Sequence, residues 1–194
     1  MSVPFDGPGT APDGSSKPGK ATTALQSHVG FFDHDGDGII WPSDTFWGFR
    51  ELKFNAFISM LAMFIIHTGF SYATWGSWIP DPFFRLKINH MHRGKHGSDS
   101  EVYTSTGEFS KDRFEYIFKM YSAPPHESMS FNEGVRMLQG NRNVNDPFGW
   151  FAAVFEWLAT YLLIWPEDSR MKKQDVRGVY DGTLFYKISG RKMD

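Results

Sequence analysis

The stretch DHDGDGIIWPSD, residues 33–44, decides the fold because it has the spacing of an EF-hand calcium loop. Carboxylates fill its first, third and fifth positions, Gly38 fills the sixth, and a backbone carbonyl serves at the seventh. The twelfth position holds Asp where Glu is usual, so its shorter side chain should bind calcium less tightly. The alternative is a solvated acidic turn. The predicted calcium ligands are Asp33, Asp35, Asp37, Ile39 and Asp44.

Helical periodicity flanks this loop on both sides. Apolar residues of ALQSHVGFF (24–32) recur at helical spacing and run directly into Asp33, and a second apolar pattern follows the loop. We therefore predict an EF-hand calcium-binding unit over residues 21–53. Residues 1–20 are rich in Gly, Pro and Ser, which predicts a disordered tail.

An unusually apolar segment comes next. No charged residue occurs from Phe54 through Pro80, and the densest part, FNAFISMLAMFII (54–66), would span roughly 20 Å as a helix. That is short of the ~30 Å hydrocarbon core of a bilayer. We therefore predict an apolar helical hairpin over 54–87 that turns at Pro80 and Pro82 and enters one leaflet. The alternative is the core helix of a soluble protein.

The remainder, residues 88–188, is predicted to be a helical domain with degenerate EF-like units. Ser110 should start one helix, and Ser130 with Glu133 forms a capping box that starts another. The segment between them, 122–133, has the length of a calcium loop but lacks its ligands. The run PEDSRMKKQDVRGVY (166–180) resembles a further helix, loop, helix turn without ligands. Such units could pair with the intact one or with each other. The predicted fold class is mainly α.

Composition limits the chemistry. The net charge is only -2, so nothing indicates nucleic-acid binding, and 41% apolar residues can form a real core. The chain has no Cys, which excludes disulfides, iron–sulfur clusters and thiolate-ligated haem. A transition metal would need other ligands, and His is present seven times. Three of the seven fall in NHMHRGKH (89–96), a weak zinc signal without helical ligand spacing.

Six ordered blocks carry a resemblance to a known family. They are LQSHVGFFDHDGDGIIWPSDTFWGFRELKFN, SYAT, PDPFF, KHGSDSEVY, QGNRNVNDPFGW and YDGTLF. Together they span about residues 25–188 and resemble caleosins, the calcium-binding peroxygenases of lipid droplets. Two departures stand out. Only Pro80 and Pro82 remain of a longer proline knot, and Asp44 replaces Glu, so weaker droplet anchoring and calcium binding are expected. The short tail and simplified knot are similar to those of fungal members.

The resemblance implies a function. It implies a haem b protein with one Ca²⁺, which moves oxygen from a fatty acid hydroperoxide to an unsaturated fatty acid as an epoxide or alcohol. It also implies attachment to the phospholipid monolayer of lipid droplets or to the endoplasmic reticulum membrane, and leaves a partly soluble pool and an oligomer open. The family's two haem-associated histidines match His28 and His96, which become the candidate catalytic and cofactor-binding residues. Sequence does not distinguish the iron ligand from the assisting residue.

Two other functions share most of these features. The first is a non-enzymatic calcium-binding coat or tether of lipid droplets, which would use the apolar hairpin and carry no haem. The second is a soluble calcium sensor, which would stay in the aqueous fraction when oil is floated away. Haem content separates the enzyme from both.

Overall fold

The computed structural model describes residues 23–192, so the tail predicted over 1–20 lies outside the described residues. Within that range the chain is mainly helical, which confirms the predicted class. Its α-helices are α1 (Ala24–Gly30), α2 (Pro42–Glu51), α3 (Ala56–Trp75), α4 (Lys111–Tyr121), α5 (Phe131–Gly140), α6 (Pro147–Ile164), α7 (Lys173–Tyr180) and α8 (Thr183–Ser189). Four short strands and one 3₁₀ helix complete it: β1 (Ile39–Ile40), β2 (Leu86–Lys87), β3 (Ser128–Ser130), β4 (Arg170–Lys172) and the 3₁₀ helix Ile88–Gly94.

The calcium-loop unit pairs with the segment that follows the apolar helix. Thr23 and Gln26 form a capping box that starts α1, and Pro42 begins α2 after the loop. Strand β1 pairs antiparallel with β2, which places Ile40 opposite Leu86. Because β2 lies between α3 and the 3₁₀ helix, this region has the layout of an EF-like unit, with α3 as its first helix. That pairing could not be predicted from sequence, since residues 76–85 lack a ligand pattern.

Helix α3 is longer than the dense apolar run suggested. It continues for 20 residues, about 30 Å, and ends at Gly76, whose φ of 74° stops it in the left-handed conformation. Beyond Pro80 the chain returns as strand β2. The inner face of α3 holds the returning segment, because His67 Nδ1 lies 2.6 Å from the Phe84 carbonyl and Ser71 donates to the Arg85 carbonyl. In the described part of the chain, α3 and α6 are long and apolar enough to cross a membrane.

The two degenerate units pair with each other. Helices α4 and α5 flank β3, helices α6 and α7 flank β4, and the strands pair antiparallel with Met129 opposite Met171. Both methionines are fully buried in one core cluster, while Phe31 and Ile40 belong to the other. Tyr103 packs against both clusters.

An arginine bridges the paired degenerate loops. Glu133, the twelfth residue of the first one, is buried, and its carboxylate accepts the N–H groups of Ala123 and Ser130. Arg170 from β4 donates to the same carboxylate at 2.8 Å and to the Ser128 carbonyl at 3.0 Å. Burial alone would raise the pKa of Glu133, but these amides and the guanidinium outweigh it and hold the pKa below its ordinary value. The ionised carboxylate therefore stabilises the folded state.

Replacing Arg170 with Met should lower the free energy of unfolding by about 2 kcal/mol, because a buried carboxylate loses its cationic partner. Urea unfolding at neutral pH measures this. The matched control is Arg136→Met, since Arg136 lies 4.0 Å from the same carboxylate with its side chain 65% exposed, and should cost under about 0.5 kcal/mol. The pKa of Glu133 is depressed on folding, so the difference between wild type and Arg170→Met should shrink as pH falls through that lowered pKa. Equal effects of both substitutions would contradict this role.

Candidate functional site

A cavity of about 260 Å³ brings the two candidate histidines together. Helix α1 contributes His28, and the segment after the 3₁₀ helix contributes His96. Most of the wall is aromatic or aliphatic, including Phe49, Phe70 and Phe155. A cavity with this lining suits a flat or chain-like apolar ligand that meets a few polar groups.

His28 has the geometry of a metal-ligating histidine. Its Nδ1 lies 2.6 Å from the carbonyl oxygen of Val179 and donates its hydrogen there, which fixes the tautomer. Among residues 23–192 nothing bonds to Nε2, so that nitrogen keeps its lone pair. Burial lowers the pKa of His28, although the Val179 carbonyl opposes this, so the ring is neutral at neutral pH. A neutral imidazole with one free nitrogen is what an iron ligand requires.

The turn between α7 and α8 holds α1 in place. Gly182 has a φ of 79°, and a Cβ added there would lie 2.8 Å from the Ser27 carbonyl oxygen and 3.1 Å from His28 Cα. The backbones therefore touch, which only Gly allows. Asp181, the residue before Gly182, accepts the Thr183 N–H and hydroxyl and so holds the turn closed. The block YDGTLF thus sets the distance between the Val179 carbonyl and the His28 ring.

His96 sits between two carboxylates. Its side chain is 6% exposed, with Nδ1 3.7 Å from Asp146 Oδ2 and Nε2 3.7 Å from Glu156 Oε1. Within the described residues, neither nitrogen nor Asp146 Oδ2 makes a hydrogen bond. Burial lowers the pKa of His96, but Glu156, Asp99 and Asp146 together outweigh it and raise the pKa. His96 is therefore arranged to hold a proton beside the cavity.

Sequence reasoning missed three of these partners. Glu156 carries the single charge of α6, and a lone carboxylate in an apolar helix could have marked it. Asp146 reads locally as the N-cap of α6, which it also is. The Val179 carbonyl has no sequence signal, because any residue carries one.

The calcium loop is formed only in part. Asp33, Asp35 and Asp37 bring carboxylate oxygens within 4.8 Å of one another. The N–H groups of Gly36 and Gly38 hold the Asp33 carboxylate at 3.0 and 2.9 Å. Burial raises the pKa of Asp33, and the neighbouring acids add to this. Three hard oxygen donors held this closely fit Ca²⁺.

Of the other two predicted ligands, Asp44 has another partner, and ligation by the Ile39 carbonyl stays a prediction. Asp44 accepts the Trp41 N–H at 2.8 Å and so caps α2, outside the aspartate group. Ile39 belongs to β1, where it faces Lys87. In residues 23–192 the three aspartates are the one metal-ligand group, so the weak zinc signal at residues 89–96 gains no support. His90 Nδ1 instead lies 3.0 Å from the Thr74 carbonyl.

Comparison with known proteins identifies the family of the chain. The family model described as "Caleosin related protein" matches residues 20–189. A Lilium longiflorum protein named "Peroxygenase" is 39% identical over 86% of this chain and 70% of its own length. The Arabidopsis thaliana "Probable peroxygenase 4" is 35% identical over 87% and 86%. A "Probable inactive peroxygenase-like protein" of Arabidopsis thaliana is 28% identical over 75% and 69%. No solved structure matches. The chain belongs to the caleosin family.

Proposed function

We propose that the protein is a calcium-dependent haem peroxygenase. It converts a fatty acid hydroperoxide into the alcohol and delivers the released oxygen atom to an unsaturated fatty acid, as an epoxide or a hydroxyl group. The observation that carries this proposal is that His28 and His96 border the same apolar cavity. The names of the relatives from Lilium longiflorum and Arabidopsis thaliana support it.

The residues present fit haem b. We assign the iron ligand to His28, because its Nδ1 is engaged by the Val179 carbonyl and its Nε2 is free. His96 is less suited, since a carboxylate stands beside each of its nitrogens. When bound, the haem supplies the redox chemistry that splits the O–O bond and transfers one oxygen atom.

The protein's own groups move the proton. In its neutral form, His96 is assigned to accept the hydroperoxide O–H proton at Nε2, a transfer that the carboxylates favour because they raise its pKa. The imidazolium then returns this proton to the oxygen that leaves as the alcohol. Asp146 and Glu156 stabilise the imidazolium between these transfers from 3.7 Å. Apolar side chains such as Phe70 and Phe155 keep bulk water from the reacting atoms.

An isotope experiment tests the proposal. A fatty acid hydroperoxide labelled with ¹⁸O in both peroxide oxygens is supplied with oleic acid to the haem-loaded protein. Mass spectrometry should find ¹⁸O in both the alcohol and the epoxide. Label in the alcohol alone would show that the acceptor takes its oxygen elsewhere, and would overturn oxygen transfer.

A non-enzymatic droplet protein is the second candidate. It is favoured by the exposed apolar side chains of α3, such as Phe57 and Phe64, and by the relative named inactive. We propose that α3 and the turn after it, within residues 54–87, attach the protein to the monolayer of lipid droplets and to the endoplasmic reticulum membrane. A coat protein would carry no stoichiometric haem, so the haem content of the protein prepared for the isotope experiment distinguishes a coat protein from an enzyme.

Calcium removal should weaken haem binding. His28 lies in the last turn of α1, which ends at Gly30, three residues before Asp33, so the filled loop fixes the end of that helix. We expect chelation, or Asp33→Asn, to lower haem affinity about 10-fold, the lower end of the effect of a lost supporting contact. Haem titration with and without calcium measures this. Unchanged affinity and turnover after chelation would show that the two sites are independent.

Gly182→Ala should also weaken haem binding, because the added Cβ pushes α1 away from α7 and lengthens the bond from His28 to Val179. The expected loss is about 10–100-fold in haem affinity. Gly190→Ala is the control, since that glycine also has a positive φ, of 78°, but a Cβ there meets nothing within 4 Å. If Gly182→Ala and Gly190→Ala lost haem affinity equally, the cause would be backbone strain and not the contact with α1.

A further inference from the structure

The cavity reaches the surface between α3 and α6. Two of its lining residues on α6, Phe148 and Phe151, are 48% and 55% exposed. From α3, Ile66 and Phe70 line it opposite them. We define the mouth by these four apolar side chains. Glu156, on the same helix as the two phenylalanines, also lines the cavity, and its side chain is 51% exposed.

Phe148 covers the mouth. Its ring rests on Gly69 of α3, where an added Cβ would lie 2.9 Å from Phe148 Cζ. The ring of Phe70 meets it edge-on at 5.9 Å and leans in turn on Gly94. The mouth is therefore closed by one aromatic side chain that packs against the backbone of Gly69. This side chain is held by ring contacts and can swing aside by rotation about its side-chain bonds.

The surface around the mouth is apolar. Helix α3 carries no charged side chain, and α6 carries only Glu156. The exposed side chains on both helices include Leu61, Phe64, Val154 and Leu158. A hydrocarbon chain can therefore pass from this surface into the cavity along the apolar side chains of both helices.

We propose that the acyl chain of the fatty acid substrate enters between α3 and α6, and that Phe148, seated on Gly69, controls its entry. This rests on the proposed function for the identity of the substrate. Phe148 then becomes a specificity residue, because the space between its ring and Gly69 limits which acyl chains can enter the cavity. Entry at this mouth brings the chain to the side of the cavity where Gly149, the residue after Phe148, adjoins His96.

A reversible block tests the mouth. The chain has no Cys, so Phe151→Cys carries its single thiol, and a bulky methanethiosulfonate reagent can be attached there and removed with dithiothreitol. Val154→Cys is the matched control, because Val154 lies on the same helix, is 51% exposed, and does not line the cavity. The probe is cis-parinaric acid, whose binding to the full chain is followed by energy transfer from tryptophan in a stopped-flow instrument.

The adduct at position 151 should slow association of the probe about tenfold, within the range by which association rates vary among variants of one site. Dithiothreitol should restore the rate, the adduct at 154 should leave it within twofold, and Phe148→Ala should raise it. Equal slowing by both adducts, or by neither, would overturn the proposal. In a second arm the probe is supplied in phosphatidylcholine vesicles, to determine whether it enters from water or directly from the lipid surface. Only direct transfer from the lipid surface becomes faster as the vesicle concentration rises. Binding of the probe needs no turnover, so failure of the mouth and failure of the peroxygenase assignment are distinguishable.

Discussion

Replacing His28 with Ala should give a folded protein that no longer retains haem and has no measurable peroxygenase activity. Of the two histidines that line the cavity, His28 is the one whose Nδ1–H is oriented by a backbone carbonyl, that of Val179 at 2.6 Å, while its Nε2 is free. Loss of an outer partner of a ligand typically costs about 10–100-fold in affinity, and loss of the ligand itself should cost more. Haem content and Soret absorbance of the purified variant measure the effect.

Two controls make this result specific. His92→Ala removes a histidine of the 3₁₀ helix that does not line the cavity, and should keep both haem and activity. Imidazole added to His28→Ala should restore part of the Soret absorbance by occupying the vacated space. If His28→Ala bound haem as tightly as wild type, His28 would not be the iron ligand.

His96→Ala should separate chemistry from haem binding. We expect this variant to retain haem while its kcat falls by about 10²–10⁴-fold, the contribution usual for a positioned general acid–base group. His96 is placed for that role by its buried ring and by the carboxylates 3.7 Å from each nitrogen. Steady-state kinetics on the haem-loaded protein, alongside its absorbance spectrum, measure both quantities.

Replacing a carboxylate near His96 should change the pKa of His96 without removing its imidazole. Glu156→Gln keeps the shape of the side chain but removes a charge that raises the pKa of His96. The apparent pKa that His96 contributes to the pH–rate profile should therefore move down, with haem content unchanged. If His96→Ala lost haem as completely as His28→Ala, the division of roles between the two histidines would be wrong.

Local signals in the sequence predicted local structure well. The capping box of Ser130 and Glu133 starts α5, and Ser110 caps α4, because such caps involve residues only three positions apart. Likewise, the spacing of Asp33, Asp35 and Asp37 was enough to predict three clustered carboxylates. These features need no knowledge of the rest of the chain.

Non-local pairings could not be predicted in the same way. Strand β1 pairs with β2 across the whole of α3, and the partner segment has no ligand pattern to mark it. The hydrogen bond between His28 and Val179 joins residues 151 positions apart through a backbone carbonyl. Spacing also left all seven histidines equal, and the resemblance alone singled out His28 and His96. The fold adds what neither provides, namely the different surroundings of the two rings.

The stoichiometry of haem in the purified protein tests the central claim most directly. The purified chain, supplied with calcium and haem and freed of excess cofactor, should give a Soret band and one haem per chain in a pyridine haemochrome assay. A preparation that stayed colourless under these conditions would contradict the account, because no group would then remain to activate the hydroperoxide.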